Sequence, residues 1–571
     1  MRCQIAFVAI AFLSQQAVRA DTLHVPKEHA TIQAAIDAAK PGDTVLVAAG
    51  TYRERVRLKD SVTVKSAGTD AKGKLGLARA EATIFDLAAD TKGPGVLLAE
   101  AATLDGFTVT RVGVFDQKEY DEHYATHGEN LPDDRGAVGA GKGFPAVGLP
   151  GVTAIVRHCI VHDNGTPGIG CSGAKDKRNH SVIEHNIAYR NMGGGIGIAD
   201  GASPIVRANR CWNNLRAGIG CRNAFGLIVD NECFDNVRAG IGIREGAKPT
   251  VRSNKCHDNR RAGIGCRMEG SAPIIENNDC YRNAMAGIGN RDKASPIIRG
   301  NRCYENLMAG IGTRAEATPM IVGNKCWKNK MAGIGSREKA KPTIVDNECY
   351  ENDLAGIGQM EDAETTLIGN TIHHNKKAGV GFDECKAGKA TLIKNKIIAN
   401  ELVAVGINPG WTVRLVGNEM ASDGGLPPLV MVFKNSEATL VNNILRGSGV
   451  AGVRTEGVVR ILDNDFICPM QRKGGGPPQF AVWGLPGARI EFLGNTVKGW
   501  RHALHADKAS VTASRNTISD YWQVGIQINQ PTEPAIAVGN VFETALDHAG
   551  VRVNGMAGLI DGNRVVKVLP K

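Results

Sequence analysis

The stretch that decides the fold is NRCWNNLRAGIGCR at residues 209–222, which recurs as NECFDNVRAGIGIR at residues 231–244. The shared pattern, Asn-x-Cys-x-x-Asn-x-x-Ala-Gly-Ile-Gly-x-Arg, occurs seven times, and the last copy has Met360 in place of the arginine. Weaker copies precede and follow these seven. The second asparagine of each copy marks the period: Asn191, Asn214, Asn236, Asn259, Asn283, Asn306, Asn329, Asn352, Asn375 and Asn400.

Each unit is about 23 residues long, and its apolar runs are short and β-rich, such as Pro273-Ile274-Ile275. No segment with helical periodicity fits inside a unit, so the repeat predicts short strands and tight turns. A unit of this size cannot bury its own apolar face and must stack on its neighbours. Parallel stacking places equivalent residues ~4.8 Å apart, so the amide of each repeated asparagine is expected to hydrogen-bond the same amide one coil up. Asparagine also tolerates left-handed turn conformations, and the Gly-Ile-Gly step permits a sharp bend around one inward aliphatic residue. The expected fold is all-β, a single-stranded parallel β-helix with coils of about 23 residues.

The composition agrees with one long repetitive domain and excludes several other classes. Of 571 residues, 70 are glycine, and hydrophobic residues make up 42% and charged residues 22%. Those fractions exclude a disordered polymer and a membrane bundle. The formal net charge is +10, without any long run of lysine and arginine, so nothing predicts a nucleic-acid partner.

Seven of the fourteen cysteines occupy one position of the repeat: Cys211, Cys233, Cys256, Cys280, Cys303, Cys326 and Cys349. Neither CxxC pairs nor zinc-ligand spacings occur among them. Stacking predicts an inward ladder of small apolar groups. A metal track and disulfides between neighbouring coils remain the alternatives.

The N-terminal segments at residues 31–39, 42–47 and 50–54, together with the repeats, resemble right-handed parallel β-helix proteins of the pectin-lyase-like superfamily. The repeats resemble those of the carbohydrate-binding and sugar-hydrolase type, and they are also similar to those of the periplasmic copper-maturation β-helix proteins. The resemblance implies a right-handed solenoid over roughly residues 22–567. Ile32, Ala35, Ile36 and Ala39 form an apolar stripe that predicts a short N-terminal capping helix.

The first twenty residues predict a signal peptide, because Arg2 precedes an apolar run at residues 5–13 and small residues follow at residues 18–20. The protein is therefore expected to be secreted or periplasmic, with cleavage near Ala20 and no membrane span. The predicted β-helix domain covers residues 21–570, with regular repeats at 186–408, a polar loop insertion at 114–143 and looser coils at 411–570.

The polar insertion and the coils after it hold the candidate catalytic residues, since six of fourteen histidines lie between residues 123 and 185. A neutral histidine suits abstraction of a proton beside a uronate carboxylate, while an arginine or a bound cation stabilises the resulting charge. A solvated polar loop is the alternative interpretation. The candidates are His123, His127, His162, His185, Asp133 and Arg135.

Two outward ladders are the candidate substrate-binding residues. An aromatic residue follows most of the repeated cysteines, and such rings suit stacking on sugars or stabilisation of the sheet. The candidates in this ladder are Trp212, Tyr281, Tyr304, Trp327 and Tyr350. The second ladder suits a row of carboxylates or sulfates, although nearby acids also predict a self-neutralising surface. It consists of Arg222, Arg244, Arg267, Arg291, Arg314 and Arg337.

A third repeated position changes from Arg216, Arg238 and Arg261 to Met285, Met308 and Met331. An adaptable packing position is the main interpretation of this change, and a soft-metal track is the alternative.

The sequence therefore predicts an exported β-helix protein that binds or modifies a polysaccharide, expected to be acidic. If the protein is an enzyme, the resemblance implies a polysaccharide lyase or epimerase, although the catalytic signatures of mannuronan epimerases, pectate lyases and polygalacturonases are absent. No cofactor follows from the sequence beyond a candidate divalent cation. The alternatives are a non-catalytic surface or periplasmic scaffold and a copper-handling β-helix protein.

Overall fold

The computed structural model describes residues 20–71, 73–90, 92–129, 144–174, 179–422, 426–470 and 478–568. Over this part the chain winds into a parallel β-helix of about 22 coils, which confirms the predicted fold class. A typical coil contains three short strands, Ile205–Arg207, Arg210–Trp212 and Ile219–Arg222, one in each of three sheets. Equivalent strands of successive coils pair in parallel and in register, as Ile219 does with Ile241.

The three sheets run the length of the described chain. The strands of sheet 1 are Thr22–Val25, Thr44–Val47, Thr63–Ser66, Thr103–Asp105, Ile155–Arg157, Val182–Glu184, Ile205–Arg207, Leu227–Val229, Thr250–Arg252, Ile274–Glu276, Ile297–Arg299, Met320–Val322, Thr343–Val345, Glu364–Ile368, Gly388–Ile393, Trp411–Val416, Glu437–Val441, Val458–Leu462, Arg489–Leu493, Ser510–Ser514, Ala535–Val538 and Ala557–Asp561. The strands of sheet 2 are Gly50–Tyr52, Thr83–Asp90, Thr108–Val112, Ile160–His162, Ile187–Tyr189, Arg210–Trp212, Glu232–Phe234, Lys255–His257, Asp279–Tyr281, Arg302–Tyr304, Lys325–Trp327, Glu348–Tyr350, Thr371–His373, Lys396–Ile398, Glu419–Ser422, Ile444–Gly447, Asp465–Ile467, Thr496–Lys498, Thr517–Ser519, Val541–Thr544 and Arg564–Lys567. The strands of sheet 3 are Val56–Arg57, Val96–Leu97, Val147–Pro150, Ile169–Ser172, Ile196–Ala199, Ile219–Arg222, Ile241–Arg244, Ile264–Arg267, Ile288–Arg291, Ile311–Thr313, Ile334–Ser336, Ile357–Gln359, Val380–Phe382, Val405–Ile407, Val430–Val432, Ala451–Thr455, Phe480–Gly484, His502–Asp507, Ile526–Asn529 and Val551–Asn554.

Three helices accompany the sheets in the described residues: α1 (Ile32–Ala38), α2 (Ala78–Ala82) and α3 (Gln117–Ala125). Helix α1 begins at Thr31, whose hydroxyl accepts a hydrogen bond from the Ala34 amide. Its buried residues Ile32 and Ile36 join the core at the N-terminal end of the solenoid. The predicted N-terminal capping helix is confirmed.

Two ladders of buried asparagines connect the coils at the corners on either side of sheet 2. The Asn209 side-chain amide donates to Asn231 Oδ1 at 2.9 Å in one ladder, and the Asn214 amide donates to Asn236 Oδ1 at 3.1 Å in the other. Each asparagine oxygen also accepts from a backbone amide of the previous coil. The predicted stacking of amides is confirmed, and it satisfies backbone groups that the turns would otherwise leave buried and unpaired.

The left-handed position of the repeated turn is the residue before the second asparagine, not the asparagine itself. Asn213 has φ 49° and Asp235 has φ 49°, whereas Asn214 and Asn236 are not in this region. The expectation that the ladder asparagine supplies the left-handed turn is therefore wrong. Its side chain is needed for hydrogen bonding instead.

The repeated cysteines face inward from sheet 2, and all seven are completely buried. Burial raises the pKa of the Cys233 and Cys303 thiols well above the ordinary value, so these groups stay protonated at neutral pH. The thirteen cysteines in the described residues are free thiols in this structure.

We expect the seven-thiol ladder to resist alkylation in the folded protein, because reagents cannot reach sulfur atoms that are completely buried. Cys385, which is only partly buried, should be labelled first. Intact mass after brief alkylation, with and without denaturant, measures this. Prompt labelling of several ladder cysteines in the native protein would contradict the buried arrangement.

Candidate binding groove

The outward face of sheet 3 carries a groove with a floor of glycine. In one coil Gly220 lies between Ile219 and Cys221, which both face the core, so a side chain at this position would point outward. Equivalent glycines pair in register from coil to coil. Ten of them line the groove: Gly197, Gly220, Gly242, Gly265, Gly289, Gly312, Gly335, Gly358, Gly381 and Gly406. The groove has a volume of about 1440 Å³, and at ~4.8 Å per coil its floor is about 43 Å long.

The two glycines of each Gly-Ile-Gly segment are present for different structural reasons. A Cβ on Gly287, the first glycine of its coil, would lie 2.8 Å from the Gly310 carbonyl oxygen and 2.9 Å from Asn306 Nδ2. A Cβ on Gly289, the second, would meet only the Ala262 Cβ at 3.6 Å, an ordinary contact. The first glycine is therefore required for the stacking of coils, whereas the second is not. Because glycine weakens a strand, its repetition on the floor indicates a surface kept open for a ligand.

Two rows of side chains form the walls of the groove. Wall 1 comes before the floor glycine in each coil and consists of Arg216, Arg238, Arg261, Met285, Met308, Met331, Leu354, Lys377 and Leu402. Wall 2 follows the floor glycine and consists of Arg222, Arg244, Arg267, Arg291, Arg314, Arg337, Met360, Asp383 and Asn408. Both walls are arginine in three successive coils, and wall 1 then becomes apolar while wall 2 stays arginine for three more.

Acidic side chains partly neutralise wall 2. Glu245 approaches both Arg222 and Arg244, at 3.6 and 3.3 Å, and Glu338 approaches Arg314 and Arg337 at 3.8 and 3.2 Å. These acids belong to the turn after sheet 3, so they contact the arginines at the outer edge of the groove. The more exposed pairs, which Glu338 forms with Arg314 and Arg337, contribute little to stability.

Positive charge concentrates where both walls are arginine. Burial, together with the nearby charges of Arg238 and Arg291, lowers the pKa of Arg261 to about 10. The group still carries its charge at neutral pH. Cations that crowd one another in a partly enclosed groove favour the binding of an anion there.

Helix α3 packs against the corner between sheets 2 and 3, beside this arginine-rich end. Tyr120 packs with Leu215 and Val237 in a small separate apolar cluster. After the helix, the His127 carbonyl accepts a hydrogen bond from Arg261 Nε at 2.7 Å, and Glu129 lines the groove. The described part of the insertion therefore contacts and positions arginines of wall 1.

The structure does not bring the four predicted catalytic histidines together. His123 lies on α3 with 12% of its side chain exposed, and His127 follows the helix. His185 is at the corner between sheets 1 and 2, where its ring stacks on His158. His162 belongs to sheet 2. The other two predicted catalytic residues, Asp133 and Arg135, lie outside the described residues.

The aromatic ladder is a continuous stack of ten rings on sheet 2. Neighbouring rings lie nearly parallel, as between Tyr281 and Tyr304 at 5.0 Å and 7°. The stack consists of His162, Tyr189, Trp212, Phe234, His257, Tyr281, Tyr304, Trp327, Tyr350 and His373. Since each inner ring covers the faces of its neighbours, sugars would meet only ring edges. This geometry favours the stabilising interpretation, for His162 as well.

A polar cluster that was not predicted from the sequence lies where sheet 3 continues beyond the groove. The floor position changes from Gly406 to Met431, which closes the groove, and then to Arg454, Trp483 and His505. His505 Nε2 lies 3.1 Å from Asp507 Oδ2. The sequence signal for this cluster is the loss of glycine from the repeated floor position.

The ring of His502 lies 5.2 Å from that of His505, and this buried histidine predicts how the stability depends on pH. Burial lowers its pKa to about 4, so the folded protein holds it neutral while the unfolded chain takes up a proton below about 6.5. The stability that neutral His502 contributes is therefore complete above the pKa that this group has in the unfolded chain, and it is lost as the pH falls toward 4. We expect the free energy of unfolding to fall by about 3 kcal/mol between pH 7 and pH 4 from this group.

Chemical denaturation of the wild-type protein and of His502→Gln over this range tests the prediction, since glutamine carries no titratable group. A His180→Gln variant serves as the exposed control. An equally steep pH dependence in His502→Gln would contradict the assignment.

The part of the chain that the structure describes contains no preformed metal site. No group of three or more histidine, cysteine, aspartate or glutamate side chains is close enough to hold an ion there. None of the described helices has the length and apolarity needed to cross a membrane.

Comparison with protein families gives a match over more than half of the chain. The model described as "Right handed beta helix region" matches residues 146–278, 267–420 and 314–469. The chain belongs to the right-handed β-helix family. This assignment confirms the handedness implied by the resemblance. None of the curated protein sequences matches this β-helix protein.

Solved structures match this β-helix protein at low similarity. The periplasmic alginate epimerase AlgG is 17% identical with a TM-score of 0.33, over 52% of this β-helix protein and 77% of that chain. The PL6 family alginate lyase AlyGC is 11% identical with a TM-score of 0.32, over 96% and 100% of the two chains. The GH87 α-1,3-glucanase of Streptomyces thermodiastaticus is 14% identical with a TM-score of 0.32, over 67% and 63%.

Proposed function

We propose that this β-helix protein binds a linear acidic polysaccharide along the sheet 3 groove. The single observation that supports this most directly is the open glycine floor between walls rich in arginine. A floor about 43 Å long suits an extended polymer. Guanidinium groups at successive coils suit a row of carboxylates or sulfates.

The aromatic ladder has no part in this proposal, because it lies on sheet 2 and the groove lies on sheet 3. Of the predicted substrate-binding residues, the arginine ladder is kept as wall 2. The wall 1 arginines, which the sequence predicts at a packing position, are proposed to bind the polysaccharide together with wall 2.

Export belongs to the same proposal. The apolar run at residues 5–13 and the small residues at 18–20 support a signal peptide, and polysaccharides of this kind occur outside the cytoplasm. The chain is therefore proposed to act in the periplasm or outside the cell. The mass of the N-terminal peptide of the exported protein tests this, and a retained Met1 would contradict it.

Lyase or epimerase chemistry is a weaker extension of the proposal. The histidines proposed as bases do not share a site with wall 2 in the described residues, so binding is better supported than catalysis. Incubation with polyuronates, followed by absorbance of unsaturated ends and analysis of epimerised sugars, separates the two. The absence of both products would leave a non-catalytic binding protein.

The binding proposal is tested by titrating the protein with polygalacturonate, polymannuronate and a neutral glucan. We expect the acidic polymers to bind, and to bind more weakly as salt increases. The double variant Arg314→Gln/Arg337→Gln should weaken binding at least tenfold. Arg252→Gln/Arg414→Gln is the matched control, because both arginines lie in sheet 1 on another face. Equal binding of the neutral glucan, or equal losses in the two double variants, would overturn the proposal.

A further inference from the structure

The walls of the groove differ in chemistry along its length, and this bears on which acidic polysaccharide it accepts. Wall 1 is apolar in four successive coils, at Met285, Met308, Met331 and Leu354. The methionines are half-buried, and Leu354 is 41% exposed. Apolar side chains that line an exposed groove over successive coils indicate contact with a ligand.

Wall 2 stays cationic opposite these methionines. Arg314 and Arg337 keep 39% and 38% of their side chains exposed. The same stretch of ligand therefore meets guanidinium groups along one edge and thioethers along the other. Each coil advances ~4.8 Å, which is comparable to one sugar unit of an extended chain.

The lateral walls of a groove meet the substituents of a sugar chain lying on its floor. Free hydroxyl groups pressed against methionine would lose hydrogen bonds to water without replacement, and this is unfavourable. An acyl group on the same oxygen removes that donor and presents a methyl group, which a flexible thioether packs against well. The methionine stretch therefore favours acylated over free hydroxyl groups.

Resting on the proposed function, we propose that the ligand is an O-acylated acidic polysaccharide. Its acyl groups pack against Met285, Met308 and Met331, while its acidic groups face the arginines of wall 2. Sugar units without acyl groups occupy the end of the groove where both walls are arginine. Wall 1 is thus the specificity-determining row of the groove.

A single fatty acyl chain fits the same walls less well. Such a chain carries one anionic group, whereas wall 2 repeats its positive charge in six successive coils, from Arg222 to Arg337. A ligand that repeats its charge in each unit matches this spacing.

The experiment compares one acidic polymer in two forms, partially O-acetylated and fully deacetylated by mild alkali, in calorimetric titrations. We expect the wild-type protein to bind the acetylated form about tenfold more tightly. The triple variant Met285→Gln/Met308→Gln/Met331→Gln should bind both forms equally, at the wild-type affinity for the deacetylated form. Met320→Gln, at a 47% exposed position of sheet 1, is the matched control and should keep the preference.

Equal affinities of the wild-type protein for the two forms would overturn the inference while leaving the proposed function standing. Failure of both forms to bind would overturn the proposed function itself. Palmitate serves as a third ligand: binding of palmitate that is abolished in the triple variant, without any preference between polymers, would also overturn the inference. Thermal unfolding midpoints of each variant within a few degrees of wild type ensure that lost binding reports the groove.

Discussion

Gly287→Ala should destabilise the protein severely, whereas Gly289→Ala, two residues along the same strand region, should be tolerated. The new methyl group at residue 287 would lie 2.8 Å from the Gly310 carbonyl, 2.9 Å from Asn306 Nδ2 and 3.1 Å from the Cys303 Cβ. Relief requires the next coil to move, which breaks the asparagine ladder as well as the sheet register. We expect a loss of about 3 kcal/mol or more, at the upper end of overpacking effects.

The matched substitution at residue 289 meets only the Ala262 Cβ at 3.6 Å. Since alanine costs less conformational entropy than glycine, this variant should be neutral or stabilised by about 0.5–1 kcal/mol. Thermal and urea unfolding of the two variants in parallel measure the contrast. Equal stabilities would show that the two glycines are not distinguished by coil packing.

Gly312→Leu should abolish most polymer binding without loss of stability. A Cβ at this position has an ordinary contact of 3.5 Å with Ala286, so the side chain can enter the groove without disturbing the coil. A leucine there occupies the floor between Met308 and Arg314 and forces an extended ligand away from both walls. We expect the affinity for the acidic polymer to fall about 100-fold, which corresponds to about 2.7 kcal/mol.

Thr250→Leu is the control for this experiment, because it adds the same apolar side chain to sheet 1. Its affinity should match the wild-type value. An unchanged affinity in Gly312→Leu would exclude the sheet 3 groove as the binding surface. Unfolding midpoints of both variants should stay close to wild type.

The repeat predicted the fold well because a β-helix is stabilised by contacts between equivalent residues of neighbouring coils. The period of the asparagines and the inward cysteines follow directly from that arrangement. The candidate site was predicted only in part. The arginine ladder lies in the groove, but the opposite row beginning at Arg216 was interpreted as packing, and the histidines were grouped by their nearness in sequence.

His123 and His185 lie on different parts of the fold for a physical reason. In the described residues between them the chain leaves helix α3 and forms five strands spread over all three sheets, so closeness in sequence places side chains on different faces. The opposite holds for Arg216 and Arg222, which the Gly-Ile-Gly segment separates and which face each other across the floor.

The sequence by itself determined that this protein is a stacked solenoid, that isoleucine and cysteine face inward, and that asparagine connects the coils. Periodicity carries this information because every coil repeats the same local environment. Only the tertiary structure decided that the second glycine of each Gly-Ile-Gly is an open floor rather than part of a bend, since both glycines have the same sequence environment. The difference between them lies in what a Cβ would meet: the Gly310 carbonyl oxygen of the next coil at 2.8 Å for Gly287, but only the Ala262 Cβ of the previous coil at 3.6 Å for Gly289.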